Sequence, residues 1–224
     1  MRSNREAVTE PPDDRSTRAR IRDVALTQFA EHGIKGTSVR TIAGAAGVAP
    51  SHVIHYFGSK ERLRVACDEL VAAKLREQQD EVAGAGLDLD PLASLRRSRH
   101  GLPLLAYLAR SLVEASPSSD ALVDQLVADA ERYIAAMVAN GLVTESRNPH
   151  VRAVLLTFWS LGSLALHMQL ERLIGVRMTE PDENPSELSE YAEATLELFG
   201  PGLLTPAMAA RLKQVFAVSH DKED

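Results

Sequence analysis

The chain has 224 residues, 45 % of them hydrophobic, enough to bury a substantial core and to hold two subdomains. Its net charge is −6 and only 4 % of its residues are aromatic, so the apolar mass comes from Leu, Val and Ala, which suits a helical body. Cys67 is the only cysteine, which excludes an intrachain disulfide, and the first residues do not resemble a secretory signal, so the expected compartment is the cytoplasm.

Residues 1–14, with Pro11-Pro12 and mixed charges, read as a disordered tail. From Ser16 to Gly33, apolar Ile21, Val24, Ala25 and Phe29 recur at helical spacing between a Ser/Thr start and a glycine stop, which predicts a supporting helix. Gly36 to Leu63 then reads as a helix-turn-helix. Val39, Ile42, Ala43 and Ala46 give a short helix an apolar face, Gly47 permits a sharp turn, and Pro50 fits the first turn of a second helix, where its missing N–H costs nothing. In that helix Val53 and Phe57 lie four apart and face inward, leaving Ser51, His52, His55 and Tyr56 for a DNA groove. Gly58 ends it, and Ser59 is a natural N-cap for a long helix through about Ala83. Lys60 therefore places a cation beside free backbone N–H groups, a combination that suits a phosphate.

The segments TRARIRDVALTQFAEHG, GTSVRTIAGAAGV and HYFGSKERL, between Thr17 and Leu63, resemble the DNA-binding domain of the TetR family of bacterial transcriptional regulators. The resemblance implies that Thr37 caps the second helix at a phosphate, that Ser51, His52 and their neighbours meet bases, and that Lys60 holds the DNA backbone. The DNA-binding candidates are thus Thr37, Ser38, Arg40, Ala49, Pro50, Ser51, His52, His55, Tyr56 and Lys60. One departure stands out: where the family often has Thr-Leu-Tyr after a glycine, this chain has Ser51-His52-Val53-Ile54, so Ile54 replaces a common phosphate-binding tyrosine and contacts shift toward His55 and Tyr56.

Charge follows the same division. Residues 15–64 carry nine Lys and Arg against three Asp and Glu, whereas residues 65–224 carry 14 against 24. A compact basic module is what phosphate neutralisation requires, and the acidic remainder is repelled by DNA. The expected organisation is all-α: tail 1–14, DNA-binding domain 15–64 and a larger effector-binding and dimerisation domain 65–224.

In the body, Gly84-Ala85-Gly86 ends the long helix, Leu92 to His100 is a basic amphipathic stretch, and Leu102 to Ala115 is a further helix. Pro117 is expected to break the chain before a helix from Ser119 to Asn140 with Leu122, Leu126, Tyr133, Ile134, Met137 and Val138 on its core face. Between Arg152 and Glu171, 18 consecutive residues carry no Asp, Glu, Lys or Arg. Thr157, Ser160, Gly162, Ser163, His167 and Gln169 make this run a poor membrane span, so it is expected to be buried on two sides, by its own domain and by a second copy. Ser186 to Phe199, with Leu188, Tyr191, Ala192, Thr195 and Leu198 on one stripe, supplies a partner for a four-helix dimer interface, and Leu161, Leu164, Tyr191 and Thr195 are its candidate residues. A last helix is expected from Thr205 to Ser219, packing through Met208, Leu212, Val215 and Phe216.

The resemblance also implies an effector pocket among the central helices. Tyr107, Tyr133, Met137, Phe158, Trp159, His167 and Met168 are its candidates, since aromatic, thioether and imidazole groups can line an apolar pocket with a few polar fixings. Neither a Gly-x-Ser-x-Gly, nor a P-loop, nor a His-Glu-x-x-His occurs, and His100, His150 and His167 lack metal-site spacing; no enzyme activity, cofactor or metal is expected. Cys67, mid-helix among apolar neighbours, reads as an inert core thiol. The function expected is a repressor that binds a palindromic double-stranded operator as a homodimer and is released by a small apolar ligand. The alternative is a DNA-binding regulator or architectural factor controlled by a protein partner.

Overall fold

The computed structural model describes residues 14–86, 102–114, 116–178 and 186–212. Among these the chain is all-α, with a single isolated antiparallel bridge between Val143 and Leu204. The helices are α1 (Asp14–His32), α2 (Val39–Ala45), α3 (Pro50–Phe57), α4 (Lys60–Ala85), α5 (Leu102–Val113), α6 (Pro117–Ala139), α7 (Pro149–Ala165), α8 (His167–Ile174) and α9 (Ser186–Leu203), and residues 206–212 are also helical.

Each boundary has a local cause. Gly47, at φ +66°, turns the chain between α2 and α3, and Pro50 starts α3 where no N–H is needed. The Ser59 hydroxyl accepts the Arg62 N–H at 3.2 Å and so caps α4. Pro117 does not break the chain ahead of a helix: it is the first residue of α6, capped by Ser116, whose hydroxyl accepts the Ser119 N–H. The uncharged run is not one helix. It divides at Leu166 into α7 and α8, bent by 72°, and among the described residues no single helix is long and apolar enough to cross a membrane. The stretch Leu92 to His100, residues 1–13, and the terminal Val215 and Phe216 lie outside the described residues, as does the side chain of Leu188.

Packing joins the parts into one column. α1 lies against α4 and α5, α4 runs on against α6, and α7 packs on both α5 and α6. The main apolar core runs without interruption from Ile21, Phe29, Ile42, Val53 and Phe57 through Leu63 and Val71 to Tyr107, Leu108, Leu122 and Leu164. A second cluster, with Ala130, Ile134, Leu142, Val143, Ala153 and Met208, closes the far end of α6. There Thr144 donates its N–H to the Leu203 carbonyl (2.8 Å) and Thr205 donates to Leu142 (3.1 Å), tying the end of α9 to the loop after α6.

Polar groups bind the core at the junction of α4, α5 and α6. The Arg64 guanidinium donates to Ser111 Oγ (3.1 Å) and Ser119 Oγ (2.7 Å), while the Asp68 carboxylate accepts from Tyr107 Oη (2.6 Å) and Ser118 Oγ (2.7 Å). Arg64 and Asp68 are both buried, so each charge depends on these partners. Further along, Arg76 donates twice to Asp129, at 2.8 and 2.9 Å. Burial raises the Asp129 pKa, but the hydrogen bonds from Arg76 and Gln125 outweigh it, and the carboxyl is held below its ordinary value. Cys67 is fully buried, and desolvation pushes its thiol well above the ordinary range, consistent with an inert core position.

Candidate functional site

The candidate DNA-facing surface is built by α2, α3 and the start of α4. Val53 and Phe57 are buried and seat α3 on the core, and this leaves Ser51, His52, Ile54 and His55 exposed along its outer face. Tyr56 is half-buried, with its ring edge-on to His55 at 5.3 Å. The Arg18 guanidinium lies over the Phe57 ring at 5.0 Å, so α1 braces the inner face of the same helix. Ala49 and Pro50 are exposed at the N-terminus of α3, Arg40 is exposed on α2, and Lys60 is half-buried at the start of α4. Glu61, beside it in the first turn of α4, has its pKa lowered by a hydrogen bond from its own backbone and by Ser59, which places an anion next to Lys60.

Thr37 does not hold the position expected of it. Its side chain is 1 % exposed and its hydroxyl points to the carbonyls of Gln28 (3.0 Å) and Gly33 (2.8 Å), inside the α1–α2 connection. The cap of α2 is Ser38, exposed, whose Oγ accepts the Thr41 N–H at 3.1 Å. The cap of this helix is therefore Ser38 and not Thr37.

A cleft of about 550 Å³ opens on the same surface between the N-terminal half of α1 (Thr17, Arg20) and the α2–α3 turn, with His52 and Tyr56 on its far wall. Sequence reasoning missed Arg20, because α1 reads as a support. The signal available was its place on the polar face of α1, directly before buried Ile21. Glu114 was missed as well. Its carboxylate accepts the backbone N–H groups of Ile34 (3.0 Å) and Lys35 (3.1 Å), so the C-terminal end of α5 grips the loop that leads into α2. Nothing local in the sequence marks this residue, since its partners lie about 80 positions away.

In the body the seven pocket candidates do not converge. Tyr107 is fully buried and its hydroxyl is committed to Asp68; burial and that carboxylate push its pKa far up. Tyr133 and Met137 are half-buried against the second core cluster, and burial raises the Tyr133 pKa. Trp159 packs edge-on against Phe199 at 4.9 Å. His167 opens α8 with Nδ1 2.9 Å from the Leu164 carbonyl, and Met168 projects outward. Only Phe158 lines the groove of about 500 Å³ that does form between α5, α6 and α7. Its other walls are Leu112, Val123 and Leu161, with Gly162 and Ala165 on α7 and with Asp120 and Asp124 on α6.

The interface candidates divide in the same way. Leu164 is buried in the chain's own core and Leu161 faces the groove, because residues 157, 161 and 164 share the inward stripe of α7. The outward stripe is Val151, Leu155 and Phe158, all exposed, with Leu198 exposed on α9. Tyr191 donates its hydroxyl to Ser163 Oγ at 3.1 Å, and Thr195 donates back to the Tyr191 carbonyl, so both serve contacts within the chain. Among the described residues no group of three or more metal-ligating side chains is found.

Comparison with known proteins bears on the family and the fold. Residues 21–67 match the family model of the bacterial regulatory proteins of the tetR family, and residues 100–205 match that of the tetracyclin repressor-like C-terminal domain. The transcriptional regulatory protein RaaS of Mycobacterium tuberculosis is 36 % identical over 198 residues, covering 85 % of this chain and 88 % of RaaS. The probable acrEF/envCD operon repressor of Escherichia coli K12 is 31 % identical over 160 residues, covering 69 % of this chain and 68 % of that protein. Among solved structures, a gamma-butyrolactone receptor (TM-score 0.59, 19 % identity, 93 % of this chain and 98 % of that one) has the same fold. So has NalD of Pseudomonas aeruginosa, the secondary repressor of the MexAB-OprM multidrug efflux pump (TM-score 0.53, 22 % identity, 88 % and 100 %). A helix-turn-helix on a helical body defines a DNA-binding transcriptional regulator. This chain belongs to the TetR family.

Proposed function

We propose that the chain is a cytoplasmic repressor that binds a short inverted-repeat operator as a homodimer and leaves it when a small molecule occupies the body. The single observation that supports gating is the mechanical continuity between body and reading head: Glu114 grips the α1–α2 loop, and α4 shares one unbroken core with both halves. A shift of α5 or α6 on ligand binding is thus passed to α2 and α3 without crossing a soft linker. Repression itself is supported by the relatives named as repressors. In the complex, Ser51, His52, His55 and Tyr56 meet base edges and sugar, while Ser38, Arg40, the Ala49 backbone and Lys60 hold phosphates and Pro50 fixes the start of α3 against the DNA.

A ligand changes DNA affinity only through its differential affinity for the two dimer states, and moving a population from 1:99 to 99:1 takes about 5.5 kcal/mol. The test is a thermal-shift screen followed by operator titration with each ligand found. Ligands that raise the melting temperature and weaken operator binding bear the reading out. If none of them alters operator affinity, gating is by a protein partner.

A further inference from the structure

The cleft of about 550 Å³ between α1 and the α2–α3 turn contains polar groups that the fold itself leaves unused. Thr17 and Arg20 form its α1 wall, three residues apart and so on one face of the helix. Thr17 is only 7 % exposed, yet its hydroxyl has no hydrogen-bond partner among the described residues. A helical threonine can satisfy its hydroxyl on a carbonyl one turn back, and a buried hydroxyl left unmet costs free energy. Arg20 is exposed and likewise unpaired among the described residues. Its neighbours on α1 are committed: Arg18 lies over the Phe57 ring, and Arg22 donates to Asp23.

The opposite wall is bare backbone. Gly44 is exposed within α2, although glycine is a poor helix former, and a β-carbon there would meet nothing within 4 Å. Gly47, in the turn, is equally open. No Asp or Glu lines the cleft among the described residues, and His52 and Tyr56 of α3 close its far side. A guanidinium, an unmet hydroxyl and a wall without side chains together suit an oxyanion that has to come close. Thr17 and Arg20 lie in the first two turns of α1, and the positive end of that helix adds to the attraction.

Resting on the reading of α3 as the helix that enters the DNA groove, we propose that this cleft holds a backbone phosphate of the same duplex, which makes α1 a DNA-contacting element in its own right. Arg20 donates to the phosphate oxygens, and Thr17 Oγ1 donates a further hydrogen bond. The source is DNA and not a free anion because His52 forms the far wall. A strand that passes between α1 and α3 gives its phosphate to Arg20 and a base edge to His52, so the phosphate contact sets the register in which α3 reads.

Phosphate contacts carry no sequence information, so the test begins with the full-length protein on a random-sequence duplex and presupposes no operator. Arg20→Ala should lower affinity and reduce the salt slope by about one, and Arg20→Lys should restore the slope but only part of the affinity. Thr17→Val should weaken binding about tenfold, the low end for a hydrogen bond to a charged group, with the slope unchanged. Its melting temperature should not fall, because no internal partner is lost. Gly44→Leu should raise the melting temperature, since leucine is the better helix former, and weaken DNA binding by filling the cleft mouth. On the selected operator, a scan of single neutral methylphosphonates should find one position per half-site whose cost vanishes in Arg20→Ala. An unchanged slope in Arg20→Ala, a lower melting temperature in Thr17→Val, or no position coupled to Arg20 would each overturn the proposal. So would inorganic phosphate that stabilises the wild type but not Arg20→Ala while both bind the duplex equally, which would make the cleft a free-anion site. If selection enriches no sequence while Arg20→Ala still flattens the slope on the random duplex, the cleft stands and the operator reading fails. If an operator is enriched and both proteins bind it alike, the operator reading stands and the cleft falls.

Discussion

Thr37 and Ser38 are adjacent hydroxyl residues, and their different fates show what a few ångströms decide. Both satisfy the chemistry of a helix cap, but only Ser38 has its Oγ on the Thr41 N–H, while Thr37 is folded beneath the loop. Replacing Thr37 with Val should cost about 1 kcal/mol of stability in urea unfolding and leave the operator affinity of the folded protein unchanged. Ser38→Ala should cost a similar amount, about 1 kcal/mol, and should also weaken operator binding. Loss of DNA affinity on Thr37→Val at full folding would reverse the assignment. Asp129 makes a pH prediction. Its folded-state pKa is depressed below the unfolded value of 3.8, so the stabilisation it gains from Arg76 is complete above that value and is lost as pH falls through the lower, folded one. Asp129→Asn should therefore be destabilising at neutral pH, and the gap to wild type should close on acidification, as chemical denaturation across pH would show.

Helix α3 was legible because it is amphipathic: Val53 and Phe57 could only face inward, so the outer face followed. Helix α7 was not, because apolar residues surround it and periodicity cannot separate a face that meets its own body from one that meets a second copy. The structure resolves this into an inward stripe ending at Leu164 and an outward stripe of Val151, Leu155 and Phe158. An aspartate at Leu155 should give monomers in sedimentation or light scattering with the helical spectrum retained, since an unpaired charge in an apolar contact costs several kcal/mol. Aspartate at Leu164 should instead unfold the protein. Dimers surviving Leu155→Asp would place the interface elsewhere. The α1–α2 loop was equally opaque, since its anchor, Glu114, is distant in sequence. Glu114→Gln trades a charge-assisted acceptor for a neutral one at a site where such bonds contribute about 1.5–3 kcal/mol. Ligand binding in this variant should persist while its effect on operator affinity shrinks, measured by titrating operator with and without ligand.

Across the whole molecule, charge and core continuity divide the labour. Residues 15–64 carry an excess of Lys and Arg, which suits phosphates, the remainder is acidic, and one unbroken core from Ile21 to Leu164 joins the two halves. On the proposed reading, dimerisation through the outward face of α7 and α9 sets the separation of two copies of α3, and the expected operator has half-sites about 34 Å apart or somewhat more. The most direct test is selection of the purified dimer on random-sequence duplexes, followed by titration of the winner over a salt series with wild type, His52→Ala and Lys60→Ala. The expected result is an inverted repeat bound with steep salt dependence, relaxed base preference for His52→Ala, and for Lys60→Ala a uniform loss of affinity with the salt slope reduced by about one. No enriched sequence, or the same profile from both variants, would contradict the assignment of α3 as the reading helix.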